Sequence, residues 1–119
     1  MCSEDKKNQS KLYDFSELSE RLGVSSETLE SVLTLFYEQY HALPEICDQL
    51  IKEQDWLALQ ALVHKMKGSC SSLQMHALCS ELDNVEHSLK RGERFEIKAL
   101  EPLFSGLKQV IDLYQLHSK

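Results

Sequence analysis

The chain has 119 residues, 42% of them hydrophobic and 27% charged, with a formal net charge of −6. That length holds one domain with one core, and the composition excludes disorder over most of it. With four Gly and two Pro a turn-rich β-sandwich is disfavoured. No apolar run approaches the ~18 residues of a membrane span, and the start MCSEDKKNQSK lacks a signal-peptide core. A cytoplasmic protein is expected, and its acidity disfavours nucleic acid or an anionic membrane as partner.

Residues 1–11 read as a polar tail, followed by a helical domain over 12–119. Phe15, Leu18 and Leu22 have helical spacing, and Gly23 suits a left-handed cap, so a short first helix is predicted. Ser25 or Ser26 caps a longer segment bearing Leu29, Val32, Leu33, Phe36, Tyr37 and Tyr40. Pro44 should kink or break it, because proline lacks the helical donor and clashes with the preceding turn. Ile46, Cys47, Leu50 and Ile51 carry the pattern on to about Lys52. Asp55 can cap a third helix reaching about Leu73. A fourth, from about Met75 to Arg91, carries Met75, Leu78, Cys79, Leu82, Val85 and Leu89 and stops at Gly92. A last one runs from about Ile97 or Glu101 to Leu116, with Pro102 in its first turn. The expected fold is all-α: an antiparallel four-helix bundle with an additional short N-terminal helix.

Charge is distributed unevenly, with −7 over residues 1–60 and +1 over residues 61–119. No Asp or Glu occurs between Asp55 and Glu81, whereas Lys65 and Lys67 lie inside that gap. Chance in a Ser- and Leu-rich stretch is one reading; a site for an anion or an acidic partner is the other. The cysteines, Cys2, Cys47, Cys70 and Cys79, include no CxxC pair. Three fall on apolar helical positions, so free thiols buried in a reducing compartment are favoured over a disulfide or zinc.

The third helix breaks the amphipathic pattern. With His64 at zero and 100° per residue, Leu59, Leu62, Val63, Met66, Cys70 and Leu73 cluster on the opposite side. Leu57, Gln60, Lys67, Gly68 and Ser71 fall within about 60° of His64, on the wet face. Gly68 there costs about 1 kcal/mol relative to Ala and leaves open space one turn from the imidazole, within reach of Lys67. A nucleophilic imidazole, an ammonium and a vacancy on one surface suit a phosphoryl group. A solvated His and Lys, with Gly68 allowing close helix packing, is the plainer alternative.

The stretch VHKMKGSCSSL, followed by LCSELDNVE, resembles the histidine-containing phosphotransfer (HPt) domains of phosphorelays, whose motif is His-x-x-Lys-Gly and then a Leu-rich second helix. His64, Lys67, Gly68, Ser69, Cys70 and Leu73 match the first part, and Leu78, Cys79, Leu82 and Glu86 the second. The likeness spans about residues 26–116. Three positions depart from it: Gln74 stands where the family often has Gly, Val63 replaces the common Ala, and Lys65 adds a charge.

The resemblance implies a phosphoryl carrier without autokinase activity. His64 takes the group from a receiver-domain aspartate and later passes it to another. Lys67 and Gly68 accommodate the phosphate, and no cofactor or metal is needed beyond Mg²⁺ on the partner. The partners implied are response-regulator receiver domains or a hybrid sensor kinase, met by a monomer through Leu57, Gln60, Ala61, Lys65, Ser71 and Glu86, with Met75 adding apolar contact. Glu86 has two open roles, orienting the imidazole or standing exposed with none. Other classes fit less well. A general base would need an orienting partner that is not seen near His64 in sequence. A metal held by His64, His76, His87 and Cys79 is disfavoured because Cys79 belongs to the apolar stripe and diverges from His76. His41, His76, His87 and His117 read as solvated helix residues. A bundle that binds receivers without carrying phosphate is the serious rival.

Overall fold

A computed structural model describes residues 14–117. The polar tail, its boundary at residue 12 and Cys2 lie outside the described residues. Those described are helical and contain no strand: α1 Phe15–Leu22, α2 Ser26–Tyr40, α3 Leu43–Lys52, α4 Trp56–Ser72, α5 His76–Lys90, a 3₁₀ turn Ile97–Leu100, and α6 Glu101–His117.

Local chemistry accounts for the boundaries. Asp14, Ser25 and Asp55 each place a side-chain oxygen on a first-turn amide, of Glu17, Thr28 and Ala58, which satisfies a donor the helix cannot. Pro44 lies in the first turn of α3, and the predicted break falls just before it, at His41 and Ala42. Four of the helices end on a residue with positive φ, namely Gly23 (71°), Gln54 (59°), Gln74 (56°) and Gly92 (83°). The turn after α4 shows the pattern: the Gln74 amide donates to Ser71 O at 3.0 Å and the Met75 amide to Cys70 O at 3.0 Å, a Schellman closure. Gln74 therefore takes the shape a glycine would take, and its departure from the family pattern leaves the turn intact.

The apolar stripes meet in one core. Its members include Leu29, Leu33 and Phe36 of α2, Leu59, Val63, Met66 and Cys70 of α4, Leu78 and Leu82 of α5, and Leu103, Leu107 and Val110 of α6. Each fully buried aliphatic chain contributes about 1.5–3 kcal/mol. Helix α2 packs on α6, α6 on α5, α5 on α4 and α4 on α3. The Tyr40 hydroxyl, 3.4 Å from Ser69 Oγ, links α2 back to α4. The closest pairing is α4 with α5, and they run antiparallel, since His64 meets Glu86 while Lys67 meets Asp83. A three-residue link, Leu73–Met75, imposes that register.

Cys47 and Cys70 are buried free thiols, their pKa values pushed up to about 12 by burial. Cys79 is half-buried, with its Sγ 3.9 Å from Lys67 O.

Candidate functional site

The outer face of α4 and the adjoining face of α5 form an open cleft of about 490 Å³ lined by His64, Lys67, Gly68, Ser71, His76, Cys79, Ser80 and Asp83. The predicted wet face of α4 is wet: the His64 side chain is 71% exposed, Leu57 is 81% exposed, and Ala61, Lys65, Gly68 and Ser71 are exposed, with Gln60 half-buried. A Cβ built on Gly68 meets nothing within 4 Å. Packing among the described residues therefore does not explain Gly68, and the space beside the imidazole is open.

Tertiary structure supplies what the sequence around His64 lacks. Glu86 of α5 is 3% exposed, and its Oε2 lies 2.8 Å from His64 Nδ1. A carboxylate accepts only, so Nδ1 of the neutral ring donates and Nε2, on the far side of the ring, keeps its lone pair. The Glu86 Oε1 lies 2.7 Å from Lys67 Nζ, and Lys90 Nζ approaches Oε2 at 3.4 Å. The Lys67 hydrogen bond holds the Glu86 carboxyl down at about 2, outweighing the opposing effect of burial, with His64 and Lys90 acting in the same direction. Glu86 is thus an anion beneath the imidazole at neutral pH.

Four expectations need correction. Glu86 is neither exposed nor available for docking; it is buried under the two residues it holds. Met75, fully buried in the core as the residue that caps α5, offers a partner no contact. Lys67, though remote in sequence from any acid, is paired with Glu86 and, at 3.0 Å, with Asp83 Oδ1. Both carboxylates raise its pKa, Glu86 the more. The stretch free of carboxylates in sequence is faced by two of them in space, because α5 folds back along α4. Lastly, Cys79 does not diverge from His76, since both line the cleft. Among the described residues, no three His, Cys, Asp or Glu side chains are grouped so as to hold a metal ion.

Asp83 was missed by sequence reasoning altogether. Its only signal was position: three residues before Glu86 on an α-helix, it shares that residue's face.

Of the other histidines, His76 lines the cleft with His64. His41 stacks on Tyr37 with ring centroids 4.7 Å apart, and His87 Nδ1 lies 3.3 Å from Asp83 Oδ2. His117's side chain lies outside the described residues.

No helix among the described residues is long and apolar enough to cross a membrane. Compared with curated proteins and with solved structures, the chain has no match. A family model described as "Hpt domain" matches residues 31–115, well over half the chain and the whole span from α2 to the end of α6 but for a few terminal residues. The match includes His64, its partner Glu86 and the α4–α5 pair that joins them: this chain belongs to the Hpt domain family, the helical modules of histidine phosphotransfer in two-component signalling.

Proposed function

We propose that this protein is a phosphoryl carrier in a phosphorelay, with His64 as the residue that accepts and releases the group. The observation that carries the reading is the contact of His64 Nδ1 with the buried Glu86 carboxylate in an otherwise open imidazole. The ring is held in the tautomer whose Nε2 is nucleophilic, and that nitrogen faces a surface a partner can reach.

In the transfer, the Nε2 lone pair attacks the phosphorus of a receiver's aspartyl phosphate. The bond from phosphorus to the aspartyl oxygen breaks, and its electron pair leaves with the aspartate as carboxylate. Nδ1 keeps its proton, so the ring becomes cationic next to a dianionic phosphoryl group, and Glu86 faces the new positive charge. Onward transfer is the same step in reverse with a second receiver. Such balance suits a carrier, which must bind the group without trapping it.

Lys67 offers its remaining N–H to the phosphoryl oxygens, and Gly68 leaves room for group and donor. Leu57, Ala61, Lys65 and Ser71 form the exposed surface around them that a receiver would cover. Any Mg²⁺ belongs to the receiver's acidic pocket. The carrier is proposed to work as a cytoplasmic monomer without autokinase activity.

The test is transfer of label from a panel of phosphorylated receiver domains to the wild type and to His64→Gln. An acid-labile label on the wild type alone is the expected result. Binding by both proteins with no transfer from any receiver would reduce the chain to an interaction module. Label kept by His64→Gln would assign the chemistry to another residue.

A further inference from the structure

Lys67 has three N–H donors and faces two carboxylates, donating to Asp83 and ion-paired with Glu86. They are not equivalent. Glu86, 2.7 Å from Nζ, is buried and engaged with His64 as well. Asp83, 3.0 Å from Nζ, has a side chain 45% exposed and lines the cleft that a phosphoryl group on His64 must enter. Besides Lys67, Asp83 is faced by His87 on its own helix, with Nδ1 3.3 Å from Oδ2, and by the like charge of Glu86.

A phosphoryl group brings nearly two negative charges to this cleft. To gain Lys67 it must share a cation already committed to Asp83, and it meets the Asp83 charge as it does so. Glu86 differs in effect, because it also supports the cationic ring of phosphohistidine. One acid therefore favours the phosphorylated state and the other opposes it.

We propose that Asp83 is a positioning residue that acts through Lys67: by competing for that ammonium it keeps the phosphoryl group on His64 high enough in free energy to be passed on. The inference rests on the carrier reading and adds a residue that sets its equilibrium. Without Asp83, Lys67 is free to turn fully to the phosphoryl oxygens, and the group is held more tightly.

The experiment uses phosphoramidate as donor, so that receiver docking plays no part. Its P–N bond breaks, ammonia leaves with the bonding pair, and the Nε2–P bond forms. At a fixed ratio of phosphoramidate to ammonia, phosphorus NMR reads the ratio of phosphorylated to free His64, with His64→Gln subtracting signal from other histidines. Asp83→Asn should raise that ratio by up to about five-fold, the upper end for an exposed charge pair. The gain should shrink with added salt, and Asp83→Glu should stay near wild type. An unchanged or lowered ratio in Asp83→Asn overturns the proposal; a purely structural Asp83 would move the melting temperature and not the ratio. Absence of phosphohistidine on wild-type His64 overturns the carrier reading itself, and is seen before any Asp83 variant is made.

Discussion

Gly68 of α4 and Gly106 of α6 are the same residue inside the same kind of helix, yet an added Cβ would meet different surroundings. At Gly68 it meets nothing within 4 Å; at Gly106 it lies 3.2 Å from Leu78 Cδ1, in the buried core. Both glycines weaken their helices intrinsically. Gly106 returns the loss as close packing of α6 on α5. Gly68 is compensated by no contact among the described residues, and it stands one turn from His64. The difference separates a glycine that packing accounts for from one that packing does not, as the proposed carrier role requires.

The largest expected effect comes from putting a long side chain at each position. Gly106→Gln should lose about 1–3 kcal/mol or more to overpacking against Leu78. Gly68→Gln should keep or slightly exceed wild-type stability, since Gln is the better helix former and its Cβ meets open space, and should slow transfer from a receiver. Urea melts followed by the single tryptophan, Trp56, which lies edge-on to Phe95 at 5.7 Å, together with transfer rates, would show the crossing. Stability loss at Gly68, or normal transfer by Gly68→Gln, would erase the distinction.

A second contrast sets the buried acid of the site against its surroundings. Glu86 titrates near 2 in the fold against an ordinary 4.5. Its contribution to stability is therefore complete above pH about 4.5 and is lost as pH falls toward about 2. Wild type should exceed Glu86→Gln in stability at pH 7, and the gap should close through that window. A gap independent of pH would mean that the Glu86 charge does not support the α4–α5 pair.

Alanine sharpens the glycine comparison at smaller scale. Gly68→Ala should gain up to about 1 kcal/mol, the helix-propensity difference with nothing opposing it. Gly106→Ala should fall short of that gain, since its Cβ would lie 3.2 Å from Leu78 Cδ1 and the Leu78 side chain must give way. Equal gains at both sites, measured by thermal melts, would show that the α5–α6 interface yields.

The smallest effect concerns the turns. Gln74 holds φ at 56°, a conformation costing a side chain about 1–2 kcal/mol. Gln74→Gly removes that strain and adds chain entropy to the unfolded state. A net gain of about 0.5–1 kcal/mol is expected at the α4–α5 turn, with the register between His64 and Glu86 unchanged. A loss of stability would mean that the Gln74 side chain contributes contacts of its own.

How much of this was legible in advance follows from the range of the forces involved. Helix existence, the caps at Ser25 and Asp55, the break before Pro44 and the wet face of α4 depend on residues within one or two turns, so a linear reading finds them; the Asp14 cap was equally local and was not predicted. The outward position of His64 and the open space at Gly68 are consequences of helical periodicity alone. Cys79 packs against the core as expected yet also borders the cleft beside His76, and Met75 turns inward where a partner contact was expected, because only the neighbouring helix decides what a residue near the edge of an apolar stripe faces.

The sequence by itself determined a helical bundle with an imidazole, an ammonium and a missing side chain on one exposed face, because 3.6-residue periodicity orders each helix independently. Tertiary structure alone decided that His64 has an acid beneath it, and that Lys67 is shared between Glu86 and Asp83. Those pairs join residues 16 to 22 positions apart, and they exist only because the α4–α5 turn sets one register of two antiparallel helices. Slide one helix by a turn, and the same residues would remain on the same faces with different partners.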